Sequence, residues 1–117
     1  MLFWLSAYLL TCAVEIPVIL LACRVLGWPV RLWPMVVIGW MLQFTHPVLW
    51  LVAPNTISGL LCAEMVVILV EGAALGQWAS HRPELGNHPV RCAAMTVSMA
   101  ANAASVLVGL VASQVVW

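Results

Sequence analysis

Neither lysine nor aspartate occurs in this chain, and its formal charge reduces to four arginines and four glutamates that cancel. With 7% charged residues, against roughly 25% in an ordinary soluble domain, it offers no basic patch for nucleic acid and no acidic tail. The pairing of cysteines needed for redox chemistry is also missing. Cys12 and Cys23 stand well apart in the first apolar segment, and Cys62 and Cys92 fall singly in later ones. Quinone-linked thiol oxidoreductases need two sulfurs within about 2 Å of each other, usually from a C-x-x-C pair. That class is excluded, and the thiols read as small buried hydrophobes.

What remains is overwhelmingly apolar: 65% hydrophobic residues and a mean hydropathy of +1.10. A water-soluble fold of this length has no means of keeping so much apolar surface dry, so lipid is the solvent that fits. Leu20-Leu21-Ala22-Cys23 loosely resembles a lipoprotein cleavage site. No basic residue precedes the first apolar run, however, and Glu15 and Pro17 interrupt it, so the segment is read as structure rather than leader.

Windows of about 20 apolar residues predict four transmembrane helices over 2–26, 35–53, 57–78 and 91–117, in a single domain covering 1–117. Gly27, Trp28, Pro29 and Pro34 break the chain after the first span, Pro54 and Asn55 after the second, and the polar stretch Ser80 to Pro89 after the third. Connections this short make neighbouring helices antiparallel, so the expected fold is an all-α, integral membrane, up-down four-helix bundle. Arg24 and Arg31 flank the first connection and Arg82 and Arg91 the third, while the second carries no charge. The positive-inside rule then puts all four arginines in the cytoplasm and both termini outside, in the cell's inner membrane. Trp4, Trp28, Trp33, Trp50, Trp78 and Trp117 stand near span ends, where amphipathic rings prefer the interface.

The informative residues are the polar ones inside the spans. At 1.5 Å per residue from each span's midpoint, Glu15 and Asn102 lie roughly 2 to 3 Å to the cytoplasmic side and His46 and Ser105 about 2 to 3 Å to the outer side. Glu64 and Glu71 lie about 5 Å outside and inside the centre, two turns apart on one face of the third helix with Ile68 between them. Tyr8, Thr11, Cys12 and Glu15 share a stripe on the first helix, and Gly39, Gln43, His46 and Trp50 on the second. Ala94, Ser98, Asn102, Ser105, Gly109 and Ser113 form a small-residue row on the fourth, which permits close backbone approach. Depth matching predicts that Glu64 lies nearer His46, as the most sensitive pair, and that Glu71 lies nearer Glu15 and Asn102. Pro17 and Pro47 cannot donate to the carbonyls of Ala13 and Gln43, which are expected to stand free beside this layer.

A carboxylate at the bilayer centre costs at least roughly 3 kcal/mol, and neighbouring ones repel. The layer must therefore carry extra protons, hold His46 as imidazolium, or bind a cation. Glu15, His46, Glu64 and Glu71 are the candidate proton or cation ligands, with Gln43, Asn102 and Ser105 in support. The string Glu15-x-Pro17, Thr45-His46-Pro47-x-x-Trp50, Glu64 with Glu71, and Asn102-x-x-Ser105 resembles a pattern seen in small uncharacterised bacterial four-helix membrane proteins, a likeness that implies the fold and no activity. The chain departs from membrane CAAX-type proteases in lacking their paired Glu and two His motifs. It departs from small multidrug exporters in having more than one membrane Glu.

Three functions are weighed. The first is a protein that binds or conducts a proton or cation, as a homo-oligomer or within a larger membrane complex, since 12.7 kDa leaves little room for both a path and a gate. The second is an accessory or assembly subunit whose polar layer is structural. The third is an intramembrane metal-dependent enzyme, for which one histidine is a thin ligand set beside the two Glu-x-x-His units of di-metal bundles. Carboxylates with one imidazole suit a divalent metal such as Zn, Mn or Fe, and whether the chain is an enzyme stays open at this point.

Overall fold

The computed structural model describes residues 2–52 and 55–116. Ala53, Pro54 and Trp117 lie outside the described residues, as do the side chains of Trp4 and Ser113. Every regular element among the described residues is helical. The helices are α1 (Leu2–Val25), α2 (Leu32–Leu42), α3 (Thr45–Val52), α4 (Ile57–Ser80) and α5 (Val90–Val116), with a 3-10 turn at Pro83–Leu85. Four helical stretches are long and apolar enough to cross a membrane: Leu5–Val25, Leu32–Val52, Ile57–Ser80 and Val90–Ala112. These features fit a small multi-pass membrane protein, and the 46 Å long axis is close to the roughly 40–45 Å of a bilayer with its headgroups.

The second span departs from the expectation of one helix over 35–53. It starts at Leu32 and breaks at Gln43–Phe44, where Gln43 and Phe44 donate to Trp40 and Met41 by three-residue turns. Pro47, two residues into α3, has no N–H to continue an α-helical ladder back to Gln43. The carbonyl of Gln43 is nonetheless not free, because the turn brings the His46 N–H onto it at 3.3 Å. Pro17, by contrast, is absorbed within a continuous α1.

Local signals set the helix ends. Thr56 caps α4 by accepting from the Gly59 N–H at 3.1 Å. After α1 the chain turns through Gly27 at φ +73°, with Trp28 N–H donating to Cys23 C=O and Gly27 N–H to Arg24 C=O, both at 3.0 Å. This is the Schellman arrangement, in which glycine accommodates the left-handed residue and the next side chain packs back on the helix. Trp28 does so: it is buried beside Cys23 rather than lying at an interface, whereas Trp33 is 75% exposed.

Helix α1 packs against α2 and α5, and α4 against α5, α2 and α3. The tightest approach is between α4 and α5. A Cβ at Gly72 would stand 3.1 Å from the Cα of Met95, and one at Gly76 would stand 3.4 Å from that of Arg91. These glycines form a G-x-x-x-G pair, which in lipid lets backbones meet where no hydrophobic effect drives helices together. The Met95 and Arg91 pairings run in opposite chain directions, so these two helices are antiparallel.

The buried apolar cluster includes Ile19, Cys23, Trp28, Ile38, Leu42, Leu75, Leu85, Val97 and Ala101. It joins the first connection (Trp28) to the third (Leu85), so both arginine-bearing connections meet at one end of the molecule. Of the apolar residues buried among those described, only Leu49 and Val67 lie outside this cluster, toward the opposite end. The reading of the cysteines as buried holds for Cys23 alone: Cys62 and Cys92 are exposed and Cys12 is half-buried, on helix faces the chain does not itself cover.

Candidate functional site

Between the dry cluster and the loosely packed end, all four spans deliver polar side chains to one layer. Glu15 comes from α1, Gln43 from the break, Thr45 and His46 from the first turn of α3, Glu71 from α4, and Ser98, Asn102 and Ser105 from α5. Glu15, Gln43, His46, Glu71, Ser98 and Asn102 each expose 3% or less. The break matters because it aims both Gln43 and His46 inward from one short segment.

Each carboxyl is held in the same two-sided way. Oε2 of Glu15 accepts from the amide of Gln43 at 3.0 Å, and Oε2 of Glu71 accepts from the amide of Asn102 at 2.8 Å. On the other side, Oε1 of Glu15 meets the Ser105 hydroxyl at 2.6 Å and Oε1 of Glu71 meets the Thr45 hydroxyl at 2.6 Å. Both hydroxyls also face a backbone carbonyl, that of Asn102 at 3.1 Å and that of Leu42 at 2.8 Å. Ser98 fixes the frame by donating to the Ile68 carbonyl at 2.9 Å, and Asn102 also donates to the carbonyl of Ser98 at 2.9 Å.

The ring of His46 enters on the Oε1 side. Its Nε2 lies 3.2 Å from Oε1 of Glu15 and 3.8 Å from Oε1 of Glu71, yet makes no aligned hydrogen bond with either. The three ligand atoms lie within 4.8 Å of one another, all on buried residues. Bonds of about 2.1 Å to a first-row divalent ion allow ligand atoms up to about 4.2 Å apart. Two edges already meet that limit, and the third needs at most a few tenths of an ångström. Two further oxygens beside the triad, Oε1 of Gln43 and Oδ1 of Asn102, are buried with no hydrogen-bond partner among the described residues. Their nitrogens must face the carboxylates, since only the N–H side donates, so neither amide can turn to satisfy its oxygen without losing a bond.

The structure therefore brings together Glu15, His46 and Glu71, with Gln43, Asn102 and Ser105 around them, and leaves Glu64 out. Glu64 is half-buried and lines a groove between α4 and α5. His46 and Glu64 interact electrostatically, but the ion-pair distances of His46 among the described residues are to Glu15 and Glu71. The Thr45–Glu71 bond sets α3 against α4 so that His46 levels with position 70, six residues or about 9 Å from Glu64 along the helix. Counting from span midpoints missed this because it sets all helix centres at one level, whereas the Thr45–Glu71 bond shows that α3 and α4 are offset along their axes. Thr45 was not marked as a site residue, although a hydroxyl next to an inward-facing histidine before proline was a usable signal. The G-x-x-x-G of Gly72 and Gly76 was equally readable and sets how near Glu71 comes to Asn102. Comparison of the chain with protein families, curated proteins and solved structures finds no match.

Proposed function

We propose that this is a small polytopic protein of the cell inner membrane, with its arginine end in the cytoplasm and both termini outside. In this reading it takes up a proton or a divalent cation at Glu15, His46 and Glu71, working as a homo-oligomer or within a larger membrane complex. The observation that carries the reading is the unaligned approach of His46 Nε2 to two carboxylate oxygens. A ring nitrogen 3.2 and 3.8 Å from two carboxylate oxygens, with all three atoms within 4.8 Å of one another, has the spacing of ligands around one shared proton or cation. Charge supports it. Two carboxylates and a neutral imidazole become neutral overall with one divalent cation, which removes most of the cost of placing them in a low-dielectric layer. The unpartnered oxygens of Gln43 and Asn102 suit the same positive guest, and hard oxygen donors with one imidazole favour Zn, Mn or Fe.

A second reading, a structural layer in an accessory subunit, draws on the fact that the carboxyls stitch helices together through four different side chains. The two are separated by titrating purified protein in detergent with cobalt(II), read by its visible absorption, alongside elemental analysis of the isolated chain. Saturable binding of one ion per chain, weakened at least about tenfold by Glu15→Gln, Glu71→Gln or His46→Ala, supports the ion site. No metal as isolated, no cobalt bound, no proton uptake that these variants alter, and a stoichiometric membrane partner would together establish the accessory subunit instead.

A further inference from the structure

Resting on the reading of the triad as an ion site, we infer that it is reached from the arginine-free end along the α4–α5 groove, with Glu64 as the carboxylate that draws the incoming cation. On the arginine side the triad is backed by Ile19, Leu42, Leu75, Val97 and Ala101, none more than 5% exposed. All five are apolar and belong to one packed cluster, and the cavity of about 280 Å³ that lies on that side, at Gly72, Gly76, Arg91 and Met95, is lined by no carboxylate. On the other side the packing opens. A groove of about 320 Å³ extends from Val106 and Leu107 inward to Ile68 and Met99, with Glu64 and Asn102 side by side between them.

Its two polar oxygens are its most telling feature. Oε2 of Glu64 is buried without a hydrogen-bond partner among the described residues, and so is Oδ1 of Asn102. Asn102 is also the side chain that donates to Glu71. An acyl chain filling this groove would leave both oxygens unsatisfied, each at a cost of about 1–3 kcal/mol or more; water or a hydrated cation satisfies both. The register that sets Gly72 against Met95 and Gly76 against Arg91 brings Asn102 to about the level of position 65, beside Glu64, and its amide reaches on to Glu71 at 2.8 Å. Asn102 thus joins the groove that Glu64 lines to the buried triad, and the dry cluster lies beyond.

The test measures water and charge in the groove directly, without requiring that any ion be bound at the triad. In a chain whose four native cysteines are replaced by alanine, Ile68→Cys places a thiol in the groove. Leu69→Cys places one at the same level on an exposed face, and Leu75→Cys places one in the dry cluster. Each is reconstituted in phosphatidylcholine vesicles and treated with small cationic or anionic methanethiosulfonates. The thiol at position 68 should react at least roughly tenfold faster than the other two and prefer the cationic reagent by about the same factor, as focusing by a carboxylate in a low-dielectric cleft dictates. Adding Glu64→Gln should abolish that preference. Equal rates at 68 and 69, or a charge preference unchanged by Glu64→Gln, would overturn the inference. Because the triad is intact in every variant, a positive result here with no cobalt or proton uptake would instead fault the ion-site reading alone.

Discussion

Removing His46 while keeping Glu15, and the reverse, measures how strongly the two depend on each other. Nε2 and Oε1 are 3.2 Å apart, and the residues are 3% and 0% exposed, so neither partner has solvent to fall back on. Breaking a buried pair by deleting one member costs about 3–5 kcal/mol, much of it from the group left behind. Here each survivor retains other contacts: Glu15 keeps Gln43 and Ser105, and His46 keeps Glu71 at 3.8 Å. The expected cost of His46→Ala or Glu15→Gln is therefore at the lower end, about 3 kcal/mol each, with a coupling of about 1–3 kcal/mol in the double variant. The measurement is reversible unfolding in mixed micelles at fixed detergent composition, followed by tryptophan fluorescence. A second cycle on His46 and Glu64, whose levels differ by about 9 Å, should be additive to within about 0.5 kcal/mol. If the Glu15 cycle were additive and the Glu64 cycle coupled, the register drawn from Thr45 and Glu71 would be wrong.

Gly72→Ala should destabilise by about 1–3 kcal/mol through overpacking, because its Cβ would meet Met95 Sδ at 2.6 Å and Met95 Cα at 3.1 Å; the loss should be partly recovered by Met95→Ala. Gly109→Ala, with nothing within 4 Å, should be silent in the same unfolding assay. Leu75→Ala, at 0% exposure, should cost about 2–5 kcal/mol, against less than about 0.5 kcal/mol for Leu107→Ala, which is 62% exposed. In a cysteine-free background, Asn55→Cys should react with an impermeant maleimide on intact cells, and labelling only after lysis would reverse the proposed sidedness.

The helical fold was legible because runs of apolar residues interrupted by Gly, Pro and Asn have few other solutions. The polar layer was legible because Glu15, His46, Glu71 and Asn102 are conspicuous in an apolar background. Which of them touch was not legible. Side-chain partners depend on register to within one turn, and the hydropathy window hid both the early start of the second span at Leu32 and the break at Gln43–Phe44. Glu64 and Glu71 look equivalent by periodicity, and only their contacts separate them, Glu71 meeting Thr45, Asn102 and His46. The dry cluster's confinement to one end was also hidden, since lipid-facing and core-facing apolar residues have the same composition when the solvent is itself apolar.

The two hydroxyls beside the carboxyls carry a consequence for speed. Thr45 and Ser105 each own one proton and two neighbours that accept it, a carboxyl oxygen and a backbone carbonyl. When the carboxyl is charged, the hydroxyl turns its proton toward it. When the carboxyl itself holds a proton, the hydroxyl turns to the carbonyl and receives a bond through its lone pair. Both charge states are thus fully bonded with every heavy atom in place, and passing between them takes only rotation about a C–O bond. Such a rotor moves far faster than helices slide or tilt, so a change of charge on either carboxyl asks no helix movement of these two contacts.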